Sequence, residues 1–146
     1  MAPACFAHEL IDGQPVDPET VRDVARFRKT ERARLMEARR RISSSDRTAM
    51  TTTLAGALDA IAASRPGLRI AVCWPIRGEP DLREWSGRAH SAGANVLLPV
   101  VVENAAPRIF RSFSPSCPME RGIWNIPEPS EGHEMVPDVV VADDSV

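Results

Sequence analysis

The stretch "LRIAVCWPIRGEPDLREWSGRAHSAGANVLLPVVV", residues 68–102, contains two apolar runs separated by an amphipathic segment. Its ends, LRIAVCWP and ANVLLPVVV, are short and almost continuously apolar, which is typical of strands buried in a parallel sheet. Between them, Leu82, Trp85 and Ala89 recur at helical spacing, and Gly93 offers a C-terminal stop. A strand, a helix and a strand in this order predict an α/β sheet with helices on its faces.

Two helices are predicted before this unit. The first follows "DPETVRDVARFRKTERARLMEARRRIS", where Asp17 is a suitable N-cap and Pro18 takes the first helical position. The second follows "DRTAMTTTLAGALDAIAAS" and ends before the pair Pro66 and Gly67. Its inward face is predicted to carry four apolar side chains, namely Met50, Leu54, Leu58 and Ile61.

Two further strands are predicted after the unit. Residues 107–114 alternate as a half-exposed strand does, and residues 137–143 form a third buried run. The order of elements predicts a three-layer, Rossmann-like α/β fold, with a mostly parallel sheet and helices on both faces. Residues 1–17 show no period and are interpreted as a flexible arm, which leaves residues 18–146 as a single domain.

Composition excludes several classes of protein. With 146 residues and a net charge of −2, the chain has no bulk attraction to nucleic acid or to an anionic membrane. No apolar run approaches the roughly 20 residues that span a bilayer, and the N-terminus does not resemble a signal peptide. The three cysteines and three histidines lie far apart, so we expect reduced thiols, no protein-built metal site and a cytoplasmic location.

The first helix is strongly basic. Arg28 and Arg32 are four residues apart and share a face, and two cations one turn apart could clamp a polyphosphate. The alternative is a solvated face whose arginines pair with Glu31 and Glu37, and the pattern leaves both interpretations open. A nucleic-acid groove is disfavoured, because the arginines extend around the whole helix.

Two other positions are candidates for ligand contacts. Glu79 follows a predicted strand and precedes a helix, so it lies at a strand's carboxyl end, where ligands bind in open α/β sheets. It could instead be an exposed turn residue near the positive end of the next helix. Trp124 lies in "RGIWNIPEPSEG" and could stack on a ligand or fill a gap in the core.

Four landmarks in order resemble the 5-formyltetrahydrofolate cyclo-ligase family. They are the basic helix RKTERARLMEARRRIS, the segment WPIRGEPDL after a strand, the strand ANVLLPVV ending at Pro99, and GIWNIPEP followed by PDVVVA. The resemblance covers about residues 24–142. It implies the ATP-dependent closure of 5-formyltetrahydrofolate to 5,10-methenyltetrahydrofolate, in which phosphate from ATP activates the formyl oxygen and the N10 amine then attacks.

The resemblance also implies roles for individual residues. Those that would hold the phosphates of ATP, with Mg²⁺ shielding the nucleotide, are Arg28, Lys29 and Arg32. Glu79 would bind the pterin, and Trp124 would line the folate pocket. Pro127 would stiffen the loop, and Pro75 and Ile76 would contribute walls.

The chain departs from the family pattern after "PDVVVA". The family continues with a glycine-rich stretch expected to cradle phosphates, whereas this sequence reads "DDSV". We therefore expect a C-terminally incomplete member with weak or absent turnover and with self-association through a sheet edge near residues 137–142. The alternatives are a non-catalytic α/β interaction module and, with less support from the acidic pI of 5.9, an RNA-associated protein.

Overall fold

The structure is a computed structural model that describes residues 9–11, 13–62 and 65–142. The chain divides into two compact units, Met1–Arg41 and Ile42–Val146.

The first unit consists of a small hairpin and a long helix. Strands β1 (Glu9–Ile11) and β2 (Gln14–Val16) pair antiparallel, and α1 spans Pro18–Arg41. The Asp17 carboxylate accepts hydrogen bonds from the Glu19 N–H (3.1 Å) and the Thr20 hydroxyl (3.1 Å), which confirms the predicted N-cap. The hairpin was not predicted, because strands of three residues are too short to show a period. Residues 1–8 and 12 lie outside the described part, and the flexible arm stays a prediction.

Helix α1 is held by its own side chains. None of its 24 residues, all of which the structure describes, is buried. Its glutamates pair within the helix, Glu31 with Arg34 at 2.8 Å and Glu37 with Arg41 at 3.3 Å. The hydrogen bonds from Arg34 hold the pKa of Glu31 below its usual value. The first unit is therefore a short hairpin followed by a polar helix whose charged side chains pair with one another along its surface.

The second unit contains a mixed sheet in the order β5-β4-β3-β8. Strands β4 and β8 run parallel to the central β3, and β5 runs antiparallel to β4. The elements of this unit are α2 (Ser44–Ile61), β3 (Arg69–Ala71), α3 (Arg83–Ser91), β4 (Asn95–Val100), β5 (Ile109–Ser112), β6 (Met119–Arg121), β7 (Pro127–Pro129) and β8 (Val139–Val140). The predicted α/β class with a mostly parallel sheet is confirmed, as are the positions of the predicted strands and helices of this unit. The predicted burial of residues 137–143 is wrong over its described part, because β8 lies at the end of the sheet order, with Val139 partly buried and Val140 exposed.

The core is built on alternate residues of the two central strands. Ile70 belongs to β3 and Val72 comes directly after it, whereas Val96 and Leu98 belong to β4. All four side chains lie in one apolar cluster. Trp85 of α3 packs in the same cluster with 3% of its surface exposed, and its indole N–H donates to Asp59 Oδ1 at 2.8 Å. Both α2 and α3 contribute to this cluster, and the second helical layer of the three-layer arrangement stays a prediction.

The predicted inward face of α2 is partly correct. Leu54 and Leu58 pack against the core as expected. Met50 and Ile61, however, are exposed, so their predicted burial is wrong. The sheet meets only the middle of α2, whereas the apolar period in the sequence continues to both ends of the helix. Ser43, at the end of the stretch that predicted the first helix, caps α2 by accepting the Asp46 N–H at 3.1 Å.

A second hairpin, β6–β7, was also missed by the sequence analysis. Its register pairs Glu120 with Glu128, and β7 also contacts β4. Two of the three residues of β7 are prolines, which are depleted in strands, so the segment was interpreted as a loop. The hairpin fixes the loop of residues 122–126 next to the sheet.

Strand β8 is attached to β3 by a charged clamp. The Arg69 guanidinium donates to both carboxylate oxygens of Asp138, at 2.6 and 3.1 Å, and the Arg69 backbone N–H donates to the same carboxylate at 3.0 Å. These hydrogen bonds lower the pKa of Asp138 to about 2, from an ordinary value of 3.8. Since the folded-state pKa is depressed, the clamp stabilises the fold above pH 3.8 and is lost as the pH falls through about 2.

We therefore expect Asp138→Asn to lower the urea midpoint at neutral pH, and the difference from the parent chain to shrink steadily as the pH approaches 2. High salt should also reduce this difference in urea midpoint, because the Arg69 and Asp138 side chains are both partly exposed to solvent. The control is Glu131→Gln, which removes an exposed carboxylate of the same unit. A pH-independent difference between Asp138→Asn and the parent would contradict this account of the clamp.

Candidate functional site

A cavity of about 450 Å³ lies at the carboxyl ends of β3 and β4, within the second unit. This size falls in the range of small-molecule sites, roughly 300–1,000 Å³, and ligands of open α/β sheets bind at this edge. The segment after β3 contributes Cys73, Trp74, Ile76, Arg77 and Glu79; the end of β4 and the start of β5 contribute Pro99, Val101 and Arg108; and the β6–β7 hairpin contributes Gly122, Trp124, Asn125, Ile126 and Glu128.

Glu79 closes a tight turn at the cavity wall. Its backbone N–H donates to the Ile76 carbonyl at 3.0 Å, and its Oε2 accepts the Ile76 N–H at 3.1 Å. The two central residues, Arg77 and Gly78, have φ angles of 49° and 81°, the signature of a type I′ turn. The first turn of α3 is instead capped by Asp81, which accepts the Arg83 N–H at 3.1 Å. Glu79 is thus part of the cavity lining and more than an exposed turn residue.

Trp124 lies in the loop that joins β6 to β7. Gly122 donates its N–H to the Ile126 carbonyl at 3.0 Å, and Asn125 donates to the Gly122 carbonyl at 2.9 Å. Asn125 has a φ of 57°, as the last residue of a three-residue hairpin loop often has. With 49% of its surface exposed, Trp124 does not fill a gap in the core.

Two side chains fix the orientation of the Trp124 ring. The guanidinium carbon of Arg108 lies 5.1 Å from the ring centroid, which is a cation–π contact, and Asn104 Oδ1 accepts the indole N–H at 3.2 Å. Trp74, on the sheet side of the cavity, packs edge-to-face on Phe113 at 6.2 Å. On its hairpin side the cavity therefore has the half-exposed indole of Trp124 in a fixed orientation. On its sheet side it has the aromatic pair of Trp74 and Phe113, which packs against the core.

The structure brings together three of the five predicted substrate-binding residues, since Ile76, Glu79 and Trp124 line this cavity. Pro75 and Pro127 are chain neighbours of lining residues but are not part of the lining themselves.

Arg28, Lys29 and Arg32 lie on α1 in the first unit and are exposed. The structure shows no ion pair for these three among the described residues, whereas Arg34, Arg40 and Arg41 of the same helix pair with Glu31 or Glu37. The predicted pairing of arginines with Glu31 and Glu37 thus holds for other arginines of the helix than these three residues. Their role towards phosphate stays a prediction.

The size of this cavity and its place at the carboxyl ends of the strands are those of small-molecule sites in proteins of the α/β class. The model of the 5-formyltetrahydrofolate cyclo-ligase family matches residues 24–143, and the chain belongs to this family.

The fold is similar to that of a solved structure. The NMR structure of Aquifex aeolicus 5,10-methenyltetrahydrofolate synthetase superimposes with a TM-score of 0.63 at 24% sequence identity. The match covers 75% of this chain and 56% of the synthetase, so the chain spans little more than half of that protein's length. No curated protein sequence matches the chain significantly.

The described residues contain neither a candidate metal site nor a candidate membrane-spanning helix. Among residues 9–11, 13–62 and 65–142, no three or more histidine, cysteine or acidic side chains come together as a metal site. Within the same residues no helix combines the length and apolar character that crossing a membrane requires.

Proposed function

We propose that this chain takes part in the ATP-dependent cyclisation of 5-formyltetrahydrofolate to 5,10-methenyltetrahydrofolate, and that the cavity binds the folate. The observation that carries the proposal is the meeting of Glu79 and Trp124 in one cavity. These are the carboxylate and the indole that the family resemblance assigns to the pterin and to the folate pocket. Membership of the cyclo-ligase family supports the same substrate.

The lining supplies what a pterin needs. The pyrimidine ring of the substrate's pterin is flat and apolar on its faces, so it would stack on the exposed part of the Trp124 indole. Its edge carries amino and ring N–H groups, and the Glu79 carboxylate would accept hydrogen bonds from them. The turn at residues 76–79 and the hairpin loop fix these two groups before the ligand arrives, so little conformational entropy is lost on binding. Pro75 and Pro127 would restrict the segments that carry Ile76 and Trp124.

The nucleotide side of the proposal rests on α1. Arg28, Lys29 and Arg32 would neutralise the phosphates of ATP, because they are exposed cations and the structure gives them no internal ion pair among the described residues. No acidic cluster in the described part of the chain fits Mg²⁺, so the proposal places that ion on the phosphates of the nucleotide. ATP supplies the phosphoryl group that makes the formyl oxygen a leaving group. The residues of this chain bind and orient the reactants.

The test is direct binding followed by turnover. Isothermal titration of the purified chain with 5-formyltetrahydrofolate should give saturable binding, and the double variant Glu79→Gln with Trp124→Ala should abolish it. Addition of MgATP to the same mixture, with the absorbance of the methenyl product recorded, then tests the reaction itself. Absence of folate binding by a folded parent chain would overturn the proposal.

We further propose a cytoplasmic location and self-association through the edge of β8. Cys117 carries a free thiol, which supports a reducing compartment. Strand β8 is at one end of the sheet order, and Val140 on it is 52% exposed. Sizing chromatography at two protein concentrations tests the association.

A further inference from the structure

Glu128 is a mostly buried residue whose carboxylate takes part in none of the hydrogen bonds that the structure shows within the described turns, hairpins and sheet. Only 9% of its surface is exposed, and it lines the cavity from strand β7. Among the described residues, the structure shows no hydrogen bond or ion pair to its carboxylate. Its oxygens are not among the fully enclosed side-chain atoms that lack a partner, so they reach solvent at the cavity that Glu128 lines. The group that pairs with Glu128 is therefore to be sought in a ligand of the cavity.

The neighbouring backbone is shaped to admit this carboxylate. A methyl group added at Gly122 would overlap the Glu128 side chain and lie 2.5 Å from its carboxyl carbon. Gly122 is not among the described glycines with a positive φ, so the need for glycine here is steric. The residue across β6–β7 from Glu128 is Glu120. The Glu128 side chain instead reaches Gly122 at the start of the loop, where the absence of a side chain leaves room for the carboxylate.

The other groups of the cavity restrict what Glu128 can bind. An ionised carboxylate only accepts hydrogen bonds, so its partner is an N–H donor or a cation. Arg77 and Arg108 line the same cavity, and Arg108 lies over the Trp124 ring. The cavity therefore offers two acceptors, Glu79 and Glu128, together with two cations. This pattern suits a flat heterocycle that has N–H groups at its edge and carboxylates elsewhere in the molecule.

We propose that Glu128 is a second ligand-binding carboxylate, which accepts a hydrogen bond from an N–H group of the ring system stacked on Trp124. This inference rests on the proposed function, because the ring system is taken to be the pterin of 5-formyltetrahydrofolate. Its carboxylate tail is repelled by Glu79 and Glu128 and is directed away from them, towards the arginines. Glu128 then fixes the orientation of the ring as well as contributing to affinity.

The experiment compares binding and stability in the same variants. Glu128→Gln has nearly the same shape but removes the charge, so it should weaken 5-formyltetrahydrofolate binding on the order of tenfold. Because no described residue pairs with the Glu128 carboxylate, the change removes no internal hydrogen bond, and the thermal midpoint of the ligand-free chain should not fall. A purely structural role would lower the midpoint instead, and that result would overturn the inference.

Gly122→Ala provides an independent test through the neighbouring backbone. The added methyl group should displace the carboxylate and weaken folate binding in the parent background. In a Glu128→Ala background the same change should have little effect, since no carboxylate remains to be displaced, and the double-mutant cycle measures this coupling. Equal losses in the two backgrounds would overturn the inference.

Two outcomes separate the inference from the proposed function. If the parent chain binds 5-formyltetrahydrofolate and Glu128→Gln binds it equally well, Glu128 has no role in binding while the proposed function stands. If the folded parent does not bind the folate at all, the proposed function fails and the inference fails with it.

Discussion

Trp85→Ala is expected to lower the free energy of unfolding by about 3–5 kcal/mol, the usual cost of truncating a buried aromatic residue. The ring is 3% exposed and packs between α3 and the strands that form the centre of the sheet. Since small domains are stable by only about 5–15 kcal/mol, the change should remove a large part of the total. Urea denaturation followed by far-ultraviolet circular dichroism measures it.

Trp124→Ala is the matched control, because it removes the same ring from a position that is 49% exposed. We expect it to cost less than about 1 kcal/mol, as exposed substitutions usually do. Trp85→Phe separates packing from hydrogen bonding, since it keeps a ring but loses the 2.8 Å bond to Asp59. It should cost about 1 kcal/mol for the bond, with the remainder due to the smaller ring. Equal costs for the alanine variants at residues 85 and 124 would show that the core is not where the structure puts it.

The largest expected effect on binding is at Glu79. Glu79→Gln should weaken 5-formyltetrahydrofolate binding by about 10- to 100-fold, because a hydrogen bond to a charged group contributes about 1.5–3 kcal/mol. The turn should persist, since the Glu79 N–H bond to Ile76 is unaffected and a glutamine oxygen can still accept the Ile76 N–H. Isothermal titration measures the affinity, and the thermal midpoint checks the fold.

The control for Glu79 is Glu84→Gln on α3, which makes the same change of charge on an exposed helical residue. It should leave folate binding unchanged. If Glu79→Gln and Glu84→Gln bind equally well, the carboxylate at residue 79 serves the turn alone, which is the alternative that the sequence left open.

Much of the fold could be predicted because it depends on local pattern. The cap at Asp17 and the apolar runs of β3 and β4 are properties of a few consecutive residues. The two hairpins could not be predicted, because their three-residue strands lie in no apolar run of the kind that reveals β3 and show no alternation. The prolines in β7 also argue against a strand. The exposure of Met50 and Ile61 depends on how far the sheet extends along α2.

The same distinction applies to the cavity. Glu79 and Trp124 were visible as a carboxylate after a strand and an indole in a stiff loop. Glu128 lies in the motif GIWNIPEP together with Trp124. Its burial depends on the pairing of β7 with β6 and on the space at Gly122, which no local pattern shows. The contact of Arg108 with the Trp124 ring likewise joins segments whose proximity only the tertiary structure shows.

The different surroundings of the three indoles make the chain its own optical reporter. Trp85 is enclosed in the core, Trp74 is half-buried between Phe113 and Arg83, and Trp124 faces solvent at the cavity. Iodide should therefore quench the emission of Trp124 most strongly in the native chain, and an occupied cavity should shield it. Emission from Trp85 should shift to longer wavelength only when the core opens. One spectrometer could thus follow occupancy and unfolding separately, without any attached dye.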